Sequence, residues 1–203
     1  MSNALIEPFK AKSGISDKPF TVIANVINTE EIYEKMIETP DDLRVEEGCL
    51  NFVALGKLCR QKGYDIMLDA FAAAAEKRDD LRLYIIGDGP DRAALIAQRD
   101  RLGLADRVFF LGSKTNPYGY MARLDAFIST SRYEGQPLNI MEAMAVGLPL
   151  YCTKNLEAYT EGLRGYENIA AALVNAKKEP KRPDGLDEYN RRILESIYLL
   201  AER

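Results

Sequence analysis

Between residues 51 and 153, five short runs that are apolar almost throughout alternate with four longer runs of helical pattern, and few folds accept that order. NFVALG (51–56), LRLYIIG (81–87), RVFFLG (107–112), DAFISTS (125–131) and LPLYCT (148–153) predict strands. GYDIMLDAFAAAAEKR (63–78), PDRAALIAQRDRLG (90–103), NPYGYMARL (116–124) and PLNIMEAMAVG (137–147) predict helices, with Ile66, Leu68, Ala70, Phe71 and Ala74 near one face of the first. A strand that faces water on one side alternates apolar with polar residues. These do not, so both of their faces must be covered, as in a parallel sheet between two layers of helices. The expected fold is a doubly wound, Rossmann-like α/β domain.

The flanks are less regular. FTVIA (20–24) predicts a short strand, and Thr29 ahead of Glu30 to Glu38 predicts a capped helix, interrupted by Pro40, Asp41 and Asp42. Past Asn155 the stretch LEAYTEGLRGYENIAAALVNA has room for one or two helices, and KKEPKRPDG (177–185) reads as a charged linker. The last helix, LDEYNRRILESIYLLAER, places Tyr189, Ile193, Ile197 and Leu200 on one stripe. Met1 to Ala4 read as a cloning scar. Residues 5–48 are then a lead-in, 49–176 the α/β domain, and 177–203 the linker and final helix.

Composition narrows the chemistry. Among 203 residues there is no histidine, which removes Ser-His-Asp and Cys-His nucleophile systems and every His-containing metal motif. A net charge of −4 with no basic block argues against nucleic acid. Cys49, Cys59 and Cys152 have no paired short spacing, so neither a disulfide framework nor a zinc site is suggested and a reducing cytoplasm is expected. No apolar run reaches the roughly 18 residues of a membrane span.

In an open α/β sheet, ligands sit beyond the carboxyl ends of the strands, so the loops that follow the strands are the candidates. The first, Gly56-Lys57-Leu58-Cys59-Arg60-Gln61-Lys62-Gly63, places three cations between glycines, where ammonium groups can cover a diphosphate; a solvated turn is the competing reading. The second, Gly87-Asp88-Gly89-Pro90, is a turn with Pro90 at a suitable first helical position, where free N–H groups favour anions. It lacks the full G-x-G-x-x-G of a dinucleotide reader. The fourth strand runs into Ser131-Arg132-Tyr133-Glu134-Gly135-Gln136-Pro137-Leu138 and then a helix carrying Glu142 between apolar Met141, Ala143 and Met144. Glu134 and Glu142 thus flank one helix N-terminus, which suits a ligand with hydroxyls at its ends and phosphates in the middle. Their separation in space is not fixed by sequence, so no glycosidase pair is assigned. Tyr118, Tyr120 and Tyr133 suit core packing for at least two of the three, or stacking on a ligand ring.

Residues 52–153 resemble the C-terminal, nucleotide-sugar-binding domain of retaining glycosyltransferases of family 4, whose architecture pairs two Rossmann domains (GT-B). The likeness runs through FVALGKLCRQKGYDIMLDAF, LYIIGDGPDRAAL and VFFLGSKTNPYGYMARLDAFISTSRYEGQPLNIMEAMAVGLPL in family order. RYEGQPLNIMEAMAVGLP, with two glutamates separated by seven residues, is its most specific part. VIANVINTEEI, with Asn25, is similar to the segment that leaves the family's N-terminal domain, and the last helix to the one that crosses back to it. The resemblance implies that Lys57 and Lys62 hold the donor diphosphate, and that Gly56, Gly87, Asp88, Gly89, Leu111, Gly112 and Ser113 line the nucleotide site. Glu142 would take the ribose hydroxyls, Glu134 would face the sugar, and the backbone of Gly135, Gln136, Pro137 and Leu138 would lie beside the phosphate.

The implied partner is a nucleoside diphosphate sugar of UDP or GDP type, with no cofactor and no metal; the chain has no Asp-x-Asp pair. An acceptor glycan or glycolipid would be read by the N-terminal domain, with cytoplasmic location and peripheral membrane association open to the whole protein. On this reading, these residues bind donor but transfer nothing alone. A non-catalytic nucleotide-sugar-binding module is the alternative. Two departures stand out: Gly56-Lys57 replaces the family's usual Gly-Arg, losing the planar fork, and Leu150 to Asn155 replaces its glycine-rich segment.

Overall fold

The computed structural model describes residues 10, 12–13, 24–160, 162–183 and 186–201. Five strands, β1 (Leu50–Leu55), β2 (Leu81–Ile86), β3 (Val108–Gly112), β4 (Ala126–Ser129) and β5 (Leu150–Cys152), pair in parallel in the order β3-β2-β1-β4-β5. The chain builds outward from β1 to β3, then crosses to the other side of β1 to place β4. The turning point of the topology therefore lies between β1 and β4, and their carboxyl ends frame the crevice.

Seven α-helices are described: α1 (Thr29–Met36), α2 (Tyr64–Ala75), α3 (Arg92–Arg101), α4 (Pro117–Met121), α5 (Leu138–Val146), α6 (Ile169–Asn175) and α7 (Asp187–Ala201). Along β1 successive side chains enter opposite cores. Phe52 and Ala54 meet Leu68 and Phe71 of α2 and Leu173 of α6, whereas Val53 joins Met121 of α4 and Ile140 of α5. This two-sided burial explains strands with no polar alternation, and each fully buried Phe or Leu contributes about 1.5–3 kcal/mol. The one polar residue inside β1, Asn51, is 1% exposed and donates through its backbone N (2.9 Å) and Nδ2 (3.1 Å) to Asp125 Oδ2.

Several boundaries differ from the sequence expectation. Asn28, not Thr29, caps α1: its side chain accepts from Glu31 N at 3.2 Å, Thr29 is the first helical residue, and the helix ends at Met36 rather than Glu38. Ile66 is not on the buried face of α2 but 37% exposed, and Met67 takes its place because a helix advances 100° per residue and the sheet-facing arc falls on Tyr64, Met67, Leu68, Phe71 and Ala74. Pro90 precedes α3 by two residues, and Pro137 is the N-cap of α5 rather than its first residue. The 155–176 stretch holds a 3-10 turn (Lys154–Ala158) and α6. The expected strand at 20–24 falls, except for Ala24, outside the described residues.

The charged 177–183 segment is seated on the domain: Lys178 Nζ lies 2.8 Å from Asp125 Oδ1, the Lys181 ammonium bonds Ala122 O, and Arg182 N donates to Gly147 O at 3.0 Å. Burial lowers the Lys181 pKa. On the α7 stripe Tyr189 and Ile193 are half-buried, Ile197 is 37% exposed, and the side chain of Leu200 lies outside the described residues.

Candidate functional site

Glycines fix the loop after β1 against the loop after β2. Gly87, at φ +139°, leaves no room for a Cβ, which would stand 1.9 Å from Gly56 O; at Gly89 it would stand 2.3 Å from Leu58 O. Leu58 N donates to Asp88 O (2.9 Å), Asp91 N to Leu58 O (3.1 Å) and Gly89 N to Asp88 Oδ1 (2.7 Å). The sequence expectation of free N–H groups at this turn is corrected for three of them: Asp91 N bonds the β1 loop, while Gly89 N is taken by the neighbouring Asp88 carboxylate and Arg92 N by Gly89 O within the turn itself. Gly87 N likewise bonds Gly112 O at 2.9 Å, tying in the end of β3. Beyond it Leu111 packs on the core while Ser113 is exposed.

The loop after β4 is joined to the same β1 loop. Arg132 N donates to Gln61 O (2.8 Å), Thr130 Oγ1 to Gly63 O (2.8 Å), and the Arg132 guanidinium grips Asp65 with two bonds of 2.8 and 2.6 Å. That contact holds the Asp65 carboxyl below its usual range. From the third side, Asn139 at the start of α5 donates to Leu55 O at the end of β1 (2.8 Å).

This frame sets Lys62 against Glu134, with Glu142 near enough to feel the Lys62 charge. Lys62 Nζ lies 2.7 Å from Glu134 Oε1, Gln61 Nε2 reaches Glu134 Oε2 at 3.3 Å, and Glu134 is only 3% exposed. Glu142 accepts from Tyr118 OH at 2.8 Å. Burial raises the Glu142 pKa against the Tyr118 hydrogen bond and the nearby Lys62 charge, which both lower it. Lys57 is exposed and pairs with nothing among the described residues. Gly135 and Gln136 keep backbone N–H groups unbonded within the described residues, whereas Leu138 N turns to Gln136 O (2.9 Å) and Pro137 has none.

The Gln136 side chain, unlike its backbone, holds the flanks: Asn25 N donates to its Oε1 (2.7 Å), and its Nε2 reaches Tyr189 OH (2.6 Å) and Asn25 O (3.2 Å). Neither this clasp nor the Gln61 and Tyr118 contacts follow from sequence, because each joins residues far apart in the chain. Of the three tyrosines, Tyr120 is buried, Tyr118 packs part-buried and Tyr133 is 55% exposed. A cavity of about 480 Å³ borders the β1 loop between α2 and α3, lined by Cys59, Asp65, Gln98 and Arg101. All three cysteines are free, and no helix among the described residues is long and apolar enough to cross a membrane.

A parallel sheet of this order, with cations and carboxylates converging at its topological switch, defines a Rossmann-like domain of the kind found in GT-B glycosyltransferases. Residues 50–182 match the family described as glycosyl transferases group 1, and the chain belongs to that family. It is 29% identical over 152 residues to an N-acetylgalactosaminyltransferase of Campylobacter jejuni acting on a diphospho-undecaprenol-linked saccharide, covering 75% of this chain and 40% of that protein. It is 32% identical over 172 residues to the lipopolysaccharide core biosynthesis mannosyltransferase LpsB of Rhizobium meliloti, covering 79% of this chain and 47% of that one. The chain thus spans less than half the length of these curated relatives. Among solved structures, Anabaena Alr3699/HepE in complex with UDP and glucose superposes with a TM-score of 0.72 at 23% identity, over 97% of this chain and 61% of that one.

Proposed function

We propose that this chain is the donor-binding part of a retaining family 4 glycosyltransferase, which moves a hexose-type residue from a nucleoside diphosphate sugar to a cell-surface glycan or glycolipid acceptor. The observation that carries the reading is the meeting of the loops after β1 and β4, which sets Lys62 against Glu134 and near enough to Glu142 for its charge to be felt there. The names of the curated relatives support sugar transfer, and UDP in the structural neighbour suits a uridine donor.

Lys57 and Lys62, with the free N–H groups of Gly135 and Gln136 ahead of α5, hold the diphosphate. Gly56, Gly87, Asp88, Gly89, Leu111, Gly112 and Ser113 border the nucleotide, and Glu142 takes ribose hydroxyls. In the free chain Lys62 and Glu134 neutralise one another. A bound diphosphate gives the ammonium a second anion and turns Glu134 toward the sugar hydroxyls. As the sugar–phosphate bond breaks, negative charge grows on the leaving diphosphate, and fixed cations with a helix N-terminus stabilise that charge without reorganising. The same groups supply the positive charge that a metal would, so donor binding is independent of divalent ions. The acceptor is read by parts of the protein outside this chain.

Calorimetric titration with UDP, GDP and ADP, with and without a chelator, tests the reading. Lys57→Ala should weaken the preferred diphosphate by about 1–3 kcal/mol, roughly 5- to 150-fold, and leave the free nucleoside unchanged. Because Lys57 is exposed and unpaired, its stability should not change. Diphosphate affinity within twofold of the parent would contradict the assignment.

A further inference from the structure

We infer that Tyr118 is a positioning residue for ribose recognition, orienting the Glu142 carboxylate by a fixed hydrogen bond; the inference rests on the donor-site reading above. Tyr118 occupies the second position of α4, whose start is set by Pro117 and by the Asn116 side chain, which accepts from Tyr118 N (3.1 Å) and Gly119 N (3.2 Å). Asn116 Nδ2 is itself held by Lys35 O at 2.9 Å. The tyrosine ring packs part-buried against the core on the α1, α4 and α5 side, so neither its backbone nor its ring is free to wander.

From that anchor the hydroxyl reaches Glu142 Oε1 at 2.8 Å, leaving Oε2 without a partner among the described residues. A half-buried carboxylate with one oxygen tethered presents the other in one direction, and a vicinal diol needs such an aimed acceptor. The direction of donation is fixed too. Burial and the Glu142 charge push the Tyr118 pKa well above its usual value, so the phenol keeps its proton and Glu142 is the acceptor. The groups acting on the pair are Lys62 from the β1 loop, which favours ionised Glu142, and Glu31 of α1, which disfavours ionised Tyr118. Without the phenol, burial is opposed by Lys62 alone, so Glu142 ionises at higher pH and turns freely.

The test uses UDP and its 2′,3′-dideoxy analogue on the parent chain, Tyr118→Phe, Glu142→Gln and the double variant, between pH 5 and pH 9. The parent should prefer UDP by about tenfold. Tyr118→Phe should lose about that factor for UDP, keep its dideoxy affinity within twofold, and show the rise of UDP affinity with pH displaced upward. In the Glu142→Gln background the same change should have no further effect, because no carboxylate remains to be aimed. Equal losses for both ligands, or an unchanged UDP affinity, would overturn the positioning role. A parent that binds both ligands equally would overturn ribose reading by Glu142 alone, and a parent that binds neither would overturn the donor site itself.

Discussion

Gly87→Ala is expected to destabilise the domain by about 3–5 kcal/mol, the largest effect of any single methyl in this site. Two costs combine. At φ +139° an L side chain is strained, which costs roughly 1–3 kcal/mol. The new Cβ would also stand 1.9 Å from Gly56 O, a contact with backbone that no rotamer can relieve, and overpacking adds roughly 1–3 kcal/mol. Gly112→Ala is the control: its φ is +73°, but nothing lies within 4 Å of the added carbon, so the expected cost is only about 1 kcal/mol. Urea unfolding of both variants checks the difference. Equal midpoints would show that the β1 and β2 loops are not locked by their glycines, and that a ligand site framed by them is not preformed.

Lys62→Met is expected to cost about 2–4 kcal/mol at neutral pH, although it replaces a polar side chain with one that packs well. The reason is its partner. Glu134, 3% exposed, would be left with only the Gln61 amide at 3.3 Å, and stripping one member from a buried ion pair costs roughly 3–5 kcal/mol when both are fully enclosed. The Lys62 side chain is 19% exposed, which places the expectation lower in that range. Glu134→Gln in the same chain should recover most of the loss, since an amide needs no counter-ion, yet the double variant should still bind diphosphate weakly. The four chains of this cycle, unfolded in urea, give the coupling directly. Additive losses would mean that the ion pair contributes nothing to holding the two loops together.

The sheet was legible from sequence because burial on both faces leaves a signature that each strand carries locally, as in Phe52-Val53-Ala54, whose neighbours enter opposite cores. Lys62, Glu134 and Glu142 are legible as candidates because they sit in or just past loops that follow strands, and the fold pairs Lys62 with Glu134. What sequence could not give is pairing across the chain. Tyr118 and Glu142 are 24 residues apart, and Gln136 and Asn25 are 111 apart. Composition supplies the groups, but only the packing of α4 on α5, or of the 24–28 segment on the β4 loop, decides who meets whom. Ile66 illustrates the converse: its place in an apolar stretch suggests an inward side chain, yet the sheet is covered by the arc through Tyr64, Met67, Leu68 and Phe71, and Ile66 lies at its margin. Residues 87–90 read in sequence as a turn at a helix start with N–H groups free for an anion. Gly87 N turns instead to Gly112 O and Gly89 N to the Asp88 carboxylate, a use of the same residues that no local pattern distinguishes.

Amide chemical-shift mapping of the chain during a UDP titration tests the donor-site assignment most directly, because it reports place as well as affinity. The account predicts saturable changes at residues 56–63 after β1, at Gly135, Gln136 and Leu138 ahead of α5, and at Tyr118 and Glu142, all following one binding curve and unchanged by a chelator. Saturable changes confined to Ala94, Ala97, Gln98 and Arg101 of the cavity between α2 and α3, with Lys62, Gly135 and Glu142 unmoved, would contradict it.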